Sequence, residues 1–146
     1  MSGEDGLSEE ERELLDLARR AAASAYAPYS GIRVGAALQT EGGRVFTGCN
    51  VENASYGLTV CAERVAVFAA VAGGAKGFRR MAVFSSTRRA LFPCGACLQV
   101  VSEFCRDLDF ILAGEEEGPL RRRLSSLLPH PSRLERGGAG AGNIIR

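Results

Sequence analysis

Five cysteines are the residues whose type and spacing point most directly to chemistry. Cys61 opens the run Cys61-Ala62-Glu63, while Cys94 and Cys97 form a CxxC pair preceded by a proline. A CxxC turn can place two thiolates on one cation, and a third cysteine completes a set of three protein ligands. Sulfur ligands select zinc over magnesium or calcium. We therefore predict that Cys61, Cys94 and Cys97 bind one zinc ion.

The number of protein ligands separates a structural zinc site from a catalytic one. A structural site is closed by four protein ligands, whereas a catalytic site keeps one position for water. Cys49, Cys105 and His130 are further candidate ligands, and the sequence excludes none of them. The simpler interpretation of Cys49 and Cys105 is that they are small residues filling the core.

Glu63 is the candidate proton carrier beside the predicted metal. A carboxylate there could move protons to and from a water molecule, although a single helix glutamate is more often just exposed. Regular helical spacing would put positions 61 and 63 on nearly opposite sides, so Cys61 is expected at the very start of its helix. Arg64 is either a hydrogen-bond donor to a thiolate or an exposed helix arginine.

The elements that must position these residues can be predicted from hydrophobic periodicity and turn signals. We predict, in chain order, a helix over 8–27, a hairpin of 33–40 and 44–49, a loop over 50–59, a helix over 61–72, a strand over 80–86, a helix over 94–105, a strand over 109–113, and a short strand with a helical turn within 120–128. This order predicts a single α/β domain over 1–146, a mixed sheet with helices on its faces, and a mobile tail over about 137–146.

Composition and charge argue against several classes of partner. The chain has 18 Lys and Arg against 17 Asp and Glu, and no Trp, so the basic, aromatic groove of a nucleic acid polymer reader is not expected. Its apolar runs are too short to span a membrane, and its start lacks the pattern of a secretory signal. An odd cysteine count argues against a disulfide framework. We expect a cytoplasmic protein.

A longer constellation carries a family resemblance. The run from Asn50 to Arg64, together with Pro93 to Cys97, resembles the small tetrameric cytidine deaminases. The segments 25–30 and 34–38 extend the resemblance over most of the chain. The wider group of zinc deaminases often has His at the first ligand position, whereas Cys61 matches the branch that acts on free nucleosides.

The resemblance implies a fold, a reaction and an assembly. The fold would be a three-layer α/β/α sandwich around a mixed five-stranded sheet. The reaction would be zinc-dependent hydrolytic deamination of cytidine and 2′-deoxycytidine to uridine and 2′-deoxyuridine, with release of ammonia, in pyrimidine salvage. The assembly would be a homotetramer whose sites are shared between subunits.

The resemblance also implies roles for individual residues. Cys61, Cys94 and Cys97 would hold zinc, water would be the fourth ligand, and Glu63 would carry protons. Asn50 and Glu52 would bind the ribose, and the Ala62 backbone would read the pyrimidine edge. Ile32 would form an apolar wall, and Tyr56 would reach the ribose in a neighbouring subunit's site.

Several positions depart from the family pattern and leave alternatives. Relatives often have Phe at the position of Ile32, Ser at that of Phe92 and Arg at that of Leu98, and the segment 130–133 lacks an expected aromatic residue nearby. One alternative is a deaminase of another aminopyrimidine nucleoside, such as a blasticidin-type compound. Two alternatives from other classes are a CxxC redox protein and a non-catalytic zinc-binding module.

Overall fold

The computed structural model describes residues 6–136 and 144–145. In chain order its elements are α1 (Glu9–Ala22), β1 (Val34–Thr40), β2 (Val45–Cys49), a 3-10 turn (Tyr56–Leu58), α2 (Ala62–Ala72), β3 (Phe78–Ser85), α3 (Gly95–Ser102), β4 (Asp109–Ala113), β5 (Leu120–Arg123), α4 (Leu124–Leu127), β6 (Arg133–Leu134) and β7 (Ile144–Ile145). Within these described residues, no helix has the length and apolar character needed to cross a membrane.

The central sheet has five strands in the order β2-β1-β3-β4-β5. β3 and β4 pair in parallel, and the other neighbours pair antiparallel. α3 connects the two parallel strands, as such a crossover requires. The predicted mixed sheet is therefore confirmed, and so are the strand and helical turn predicted within 120–128.

Strand alternation gives the sheet two buried faces. Met81 and Val83 of β3 belong to the core cluster shared with α2 and α3. Ala82 and Phe84 alternate with them and belong to the cluster shared with α1. Helices therefore cover both faces of one sheet, which confirms the three-layer α/β/α arrangement.

Helix α1 ends at Ala22, so the prediction that it continues to residue 27 is wrong. The N–H groups of residues 23–25 bond three residues back, at 3.1 Å each, which tightens the chain out of the α-helix. Tyr26 then exchanges backbone hydrogen bonds with the strand-like segment ahead of α2: its N–H donates to Asn50 O and its carbonyl accepts from Glu52 N. Tertiary pairing therefore overrides the helical periodicity at this point.

Helix α3 also ends earlier than predicted, at Ser102 rather than residue 105. Glu103 and Phe104 donate to carbonyls three residues back, which again closes the helix with a tighter turn. The tail predicted to be mobile over 137–146 lies outside the described residues except for Ile144–Ile145, which pair with Arg133–Leu134.

Close contact between β2 and α2 sets the height of the helix over the sheet. A Cβ atom on Gly48 would lie 2.5 Å from Ala66 N and 2.6 Å from Ala62 O. Only glycine fits such a contact with the backbone of α2. Because Ala62 follows Cys61, Gly48 also determines where the first predicted zinc ligand lies.

We expect Gly48→Ala to lower the free energy of unfolding by about 1–3 kcal/mol, because the added methyl group pushes α2 away from β2. Zinc affinity should fall with it. Gly57→Ala is the matched control, since a Cβ there meets nothing within 4 Å. Urea unfolding of both variants checks this, and equal midpoints for Gly48→Ala and Gly57→Ala would contradict it.

Candidate functional site

The predicted zinc ligands lie at the N-termini of two neighbouring helices. Cys61 is the N-cap of α2 and Cys94 is the N-cap of α3, both with extended backbone. Cys97 follows within the first turn of α3 and is buried. The expectation that Cys61 stands at the very start of its helix is confirmed. Helix N-termini carry partial positive charge and therefore favour the thiolate form of these residues.

The three sulfur atoms have the spacing of a single metal site. Cys61 Sγ is 4.0 Å from Cys94 Sγ, and Cys94 Sγ is 3.5 Å from Cys97 Sγ. All three lie within 4.8 Å of one another. Two sulfurs bound at 2.3 Å to a tetrahedral zinc ion are about 3.8 Å apart. The cluster therefore fits one zinc ion per chain.

The other candidate ligands lie elsewhere. Within the residues that the structure describes, the metal-competent cluster contains neither Cys49, Cys105 nor His130. The Cys105 thiol donates to Val101 O at 3.4 Å, and burial raises its pKa to about 11. His130 lines a separate cavity beside α3. The described part of the chain thus offers three protein ligands, the number typical of a catalytic zinc site.

Arg64 lies beside the sulfur cluster. Its Nη2 donates to Cys61 Sγ at 3.4 Å, so the hydrogen-bond interpretation of this arginine is confirmed. The adjacent Cys97 thiol and the Arg64 guanidinium lower the pKa of Cys61 to about 5. Cys61 and burial in turn raise the pKa of the Cys97 thiol.

Glu63 is the second residue of α2. It is buried rather than exposed, with 5% of the residue's surface accessible to solvent. Burial raises the pKa of the Glu63 carboxyl, and the neighbouring Cys61 charge adds to this effect. A carboxyl group with a raised pKa can take and return a proton near neutral pH. The arrangement therefore suits general acid–base chemistry.

A cavity of about 250 Å³, called the metal cavity below, connects this carboxyl group to Cys61 and Cys94. It is lined by Ser30, Ile32, Val34, Asn50, Thr59, Cys61, Ala62, Glu63, Val83, Leu91, Phe92 and Cys94. Three of the predicted substrate-binding residues, Ile32, Asn50 and Ala62, are among them. Apolar side chains form much of the wall and polar groups converge on one side, as in small-molecule sites.

The remaining two predicted substrate-binding residues, Glu52 and Tyr56, line an adjacent cavity of about 370 Å³. Tyr56 is 75% exposed and packs edge-on against Tyr29, with ring centroids 5.9 Å apart. Neither residue therefore lines the metal cavity of its own chain. Ser30 and Thr59 line both cavities and join them.

Asn50 and Glu52 hold the loop that carries Ile32. Asn50 Oδ1 accepts from Val34 N and its Nδ2 donates to Ile32 O, both at 2.8 Å. Glu52 accepts from the backbone N–H groups of Tyr29 and Ser30 at 2.9 and 3.1 Å. These two side chains therefore hold the segment that brings Ile32 to the metal cavity.

The positions that depart from the family pattern have separate locations. Phe92 lines the metal cavity, half exposed, with the Arg122 guanidinium carbon 5.5 Å from its ring centroid. Leu98 is buried in the core shared with α2 and α3. Sequence reasoning missed Ser30 and Thr59 as cavity residues. Ser30 lies in the segment 25–30 and Thr59 in the run from Asn50 to Arg64, and both stretches carry the resemblance, which was the available signal.

The family follows from comparison with known proteins. Residues 8–112 match the model described as the cytidine and deoxycytidylate deaminase zinc-binding region. This match covers more than half of the chain and includes every zinc ligand predicted above. The chain belongs to this family of zinc-dependent deaminases.

Individual relatives cover most of the chain. It is 44% identical over 117 residues to a cytidine deaminase of Halalkalibacterium halodurans, covering 80% of this chain and 89% of the relative. The solved structure of cytidine deaminase from Burkholderia pseudomallei superposes with a TM-score of 0.79 at 43% identity, covering 86% and 99% of the two chains. A blasticidin-S deaminase of Bacillus cereus is 26% identical over 131 residues, 84% of this chain and 92% of the relative.

We expect Cys94→Ala to lower zinc affinity by more than about 100-fold, because one of three ligands is lost. Cys105→Ala is the matched control, and it should keep about one zinc ion per chain. Metal analysis after dialysis against a weak chelator measures both. Equal zinc contents in the two variants would contradict the assigned ligand set.

Proposed function

We propose that this chain catalyses the zinc-dependent hydrolytic deamination of cytidine and 2′-deoxycytidine, giving uridine or 2′-deoxyuridine and ammonia. The observation that carries this proposal is that a buried carboxyl group, Glu63, shares one small cavity with Cys61 and Cys94, two of the three zinc-competent cysteines. Membership of the deaminase family supports it. Pyrimidine salvage is the corresponding physiological role.

Cys61, Cys94 and Cys97 would hold the zinc ion. When bound, zinc would act as a Lewis acid that lowers the pKa of a water molecule. Three thiolates on a divalent cation leave a net charge of −1, which weakens this effect. The N-termini of α2 and α3 and the Arg64 guanidinium offset part of that negative charge. The helix ends thus serve the chemistry as well as the fold.

Glu63 would carry the protons of the reaction. Its carboxylate takes a proton from the attacking water and delivers it to N3 of the pyrimidine, as oxygen bonds to C4. It then takes the remaining hydroxyl proton and delivers it to the 4-amino group. The C4–N bond breaks, ammonia leaves, and C4 becomes the carbonyl of uridine. The carboxylate ends as it began, so one residue serves as base and acid in turn.

The nucleoside would be oriented by groups around this cavity. Asn50 and Glu52 would bind the ribose, chiefly its 3′-hydroxyl. The backbone at Ala62, at the N-terminus of α2, would read the pyrimidine edge. Ile32 would supply an apolar wall, without the ring stacking that an aromatic residue adds.

We further propose a cytoplasmic homotetramer in which Tyr56 contacts a site of a neighbouring subunit. The support is that Tyr56 and Leu58 are 75% and 66% exposed in one loop beside the cavity, and that exposed apolar patches mark interaction surfaces. The five cysteines are free thiols, which fits the reducing conditions of a cytoplasm.

A second candidate function is deamination of another aminopyrimidine nucleoside. It is favoured by Ile32 and Phe92, which change the cavity wall, and by the similarity to a blasticidin-S deaminase. Comparison of kcat/KM for cytidine and blasticidin S separates the two candidates. A CxxC redox protein or a structural zinc module would have no use for the buried carboxyl group of Glu63.

We expect Glu63→Gln to lower kcat for cytidine by about 10²–10⁴-fold, because an amide cannot carry the proton. Zinc content should stay at about one ion per chain. Glu13→Gln, which changes an exposed glutamate of α1, is the matched control and should keep full activity. The loss of ultraviolet absorbance on deamination measures both. A Glu63→Gln variant with wild-type kcat would refute this role.

A further inference from the structure

The Ser30 hydroxyl group joins two parts of the site. It donates to Glu52 Oε2 at 2.5 Å and accepts from the backbone N–H of Ile32 at 3.0 Å. The Ser30 N–H donates to the other carboxylate oxygen, Glu52 Oε1, at 3.1 Å. One serine is therefore bonded to the carboxylate on the ribose side and to the apolar residue on the base side.

Counting hydrogen bonds shows what these contacts leave available. A carboxylate offers about four acceptor positions. Glu52 uses three of them within this loop, with Tyr29 N and Ser30 N on Oε1 and the Ser30 hydroxyl on Oε2. One position on Oε2 remains for a hydroxyl group of a substrate. The single proton of the Ser30 hydroxyl is already donated to Glu52, so Ser30 has none to offer to a substrate.

The position of Ser30 fits a connecting role. It lines both the metal cavity and the adjacent cavity that contains Glu52. The Ser30 hydroxyl and backbone also lower the pKa of Glu52. Ile32 follows two residues later and lines the metal cavity.

We infer that Ser30 is a positioning residue for nucleoside binding: its hydroxyl orients the Glu52 carboxylate so that one acceptor faces one ribose hydroxyl. This inference rests on the proposed deaminase function. It assigns to Ser30 a role in ground-state binding of the ribose, with no role in proton transfer.

The test compares nucleosides with and without the hydroxyl group that Glu52 would bind. We expect Ser30→Ala to raise KM for cytidine about tenfold, because a charge-assisted hydrogen bond that orients Glu52 is lost. The kcat for cytidine should change by less than about twofold, and kcat/KM for 3′-deoxycytidine should also change by less than about twofold. Ser30→Thr keeps the hydroxyl and should restore the KM for cytidine.

Two controls isolate the proposed contact. Ser24→Ala removes an exposed hydroxyl that makes no hydrogen bond within the part of the chain that the structure describes, and it should behave as wild type. In a Glu52→Gln background, Ser30→Ala should add less than a twofold further loss, because the two residues act as one unit.

The ratio of kcat/KM for cytidine to that for 3′-deoxycytidine is the decisive quantity, since it does not depend on the fraction of folded enzyme. A fall of about tenfold in this ratio for Ser30→Ala, reversed by Ser30→Thr, supports the inference. An unchanged ratio overturns it, and so does a loss that Ser30→Thr fails to reverse. If zinc-loaded wild type leaves cytidine unchanged, the proposed function itself fails, which is a different result.

Discussion

The convergence of two helix N-termini over one face of the sheet is the constraint on which the site depends. α2 and α3 lie side by side, so their N-cap residues bring Cys61 and Cys94 to within 4.0 Å at sulfur. The parallel pairing of β3 with β4 requires the crossover that α3 provides. Because Gly48 has no side chain, α2 can lie in close contact with β2.

The same convergence organises the electrostatics of the site. Helix ends and the Arg64 guanidinium stabilise thiolates, while the surrounding core excludes water from Glu63 and raises its pKa. A metal site and a proton carrier need opposite environments, one that favours anions and one that penalises them. Cys61 and Cys94 are N-cap residues, where the partial positive charge of a helix end favours thiolates, whereas burial of Glu63 raises the pKa of its carboxyl group, so the two environments are separate. We propose that this separation underlies the deaminase activity.

Local patterns predicted the zinc ligands and most of the elements. CxE and CxxC spacing, together with helical periodicity, predicted that both cysteine groups open helices, and the structure confirms this. The end of α1 was not predictable, because Tyr26 pairs with a segment distant in sequence. The bonds between Ser30 and Glu52 are likewise long-range. No periodicity encodes a side-chain contact between two loops, so these features required the folded structure.

The most direct test of the account is a zinc titration of the metal-free protein with cytidine turnover followed at each step. We expect activity to rise in proportion to bound zinc and to stop rising at one ion per chain, with uridine and ammonia formed in equal amounts. This result would tie turnover to the cluster of three cysteines. Full occupancy of zinc with cytidine and 2′-deoxycytidine left unchanged would contradict the central claim.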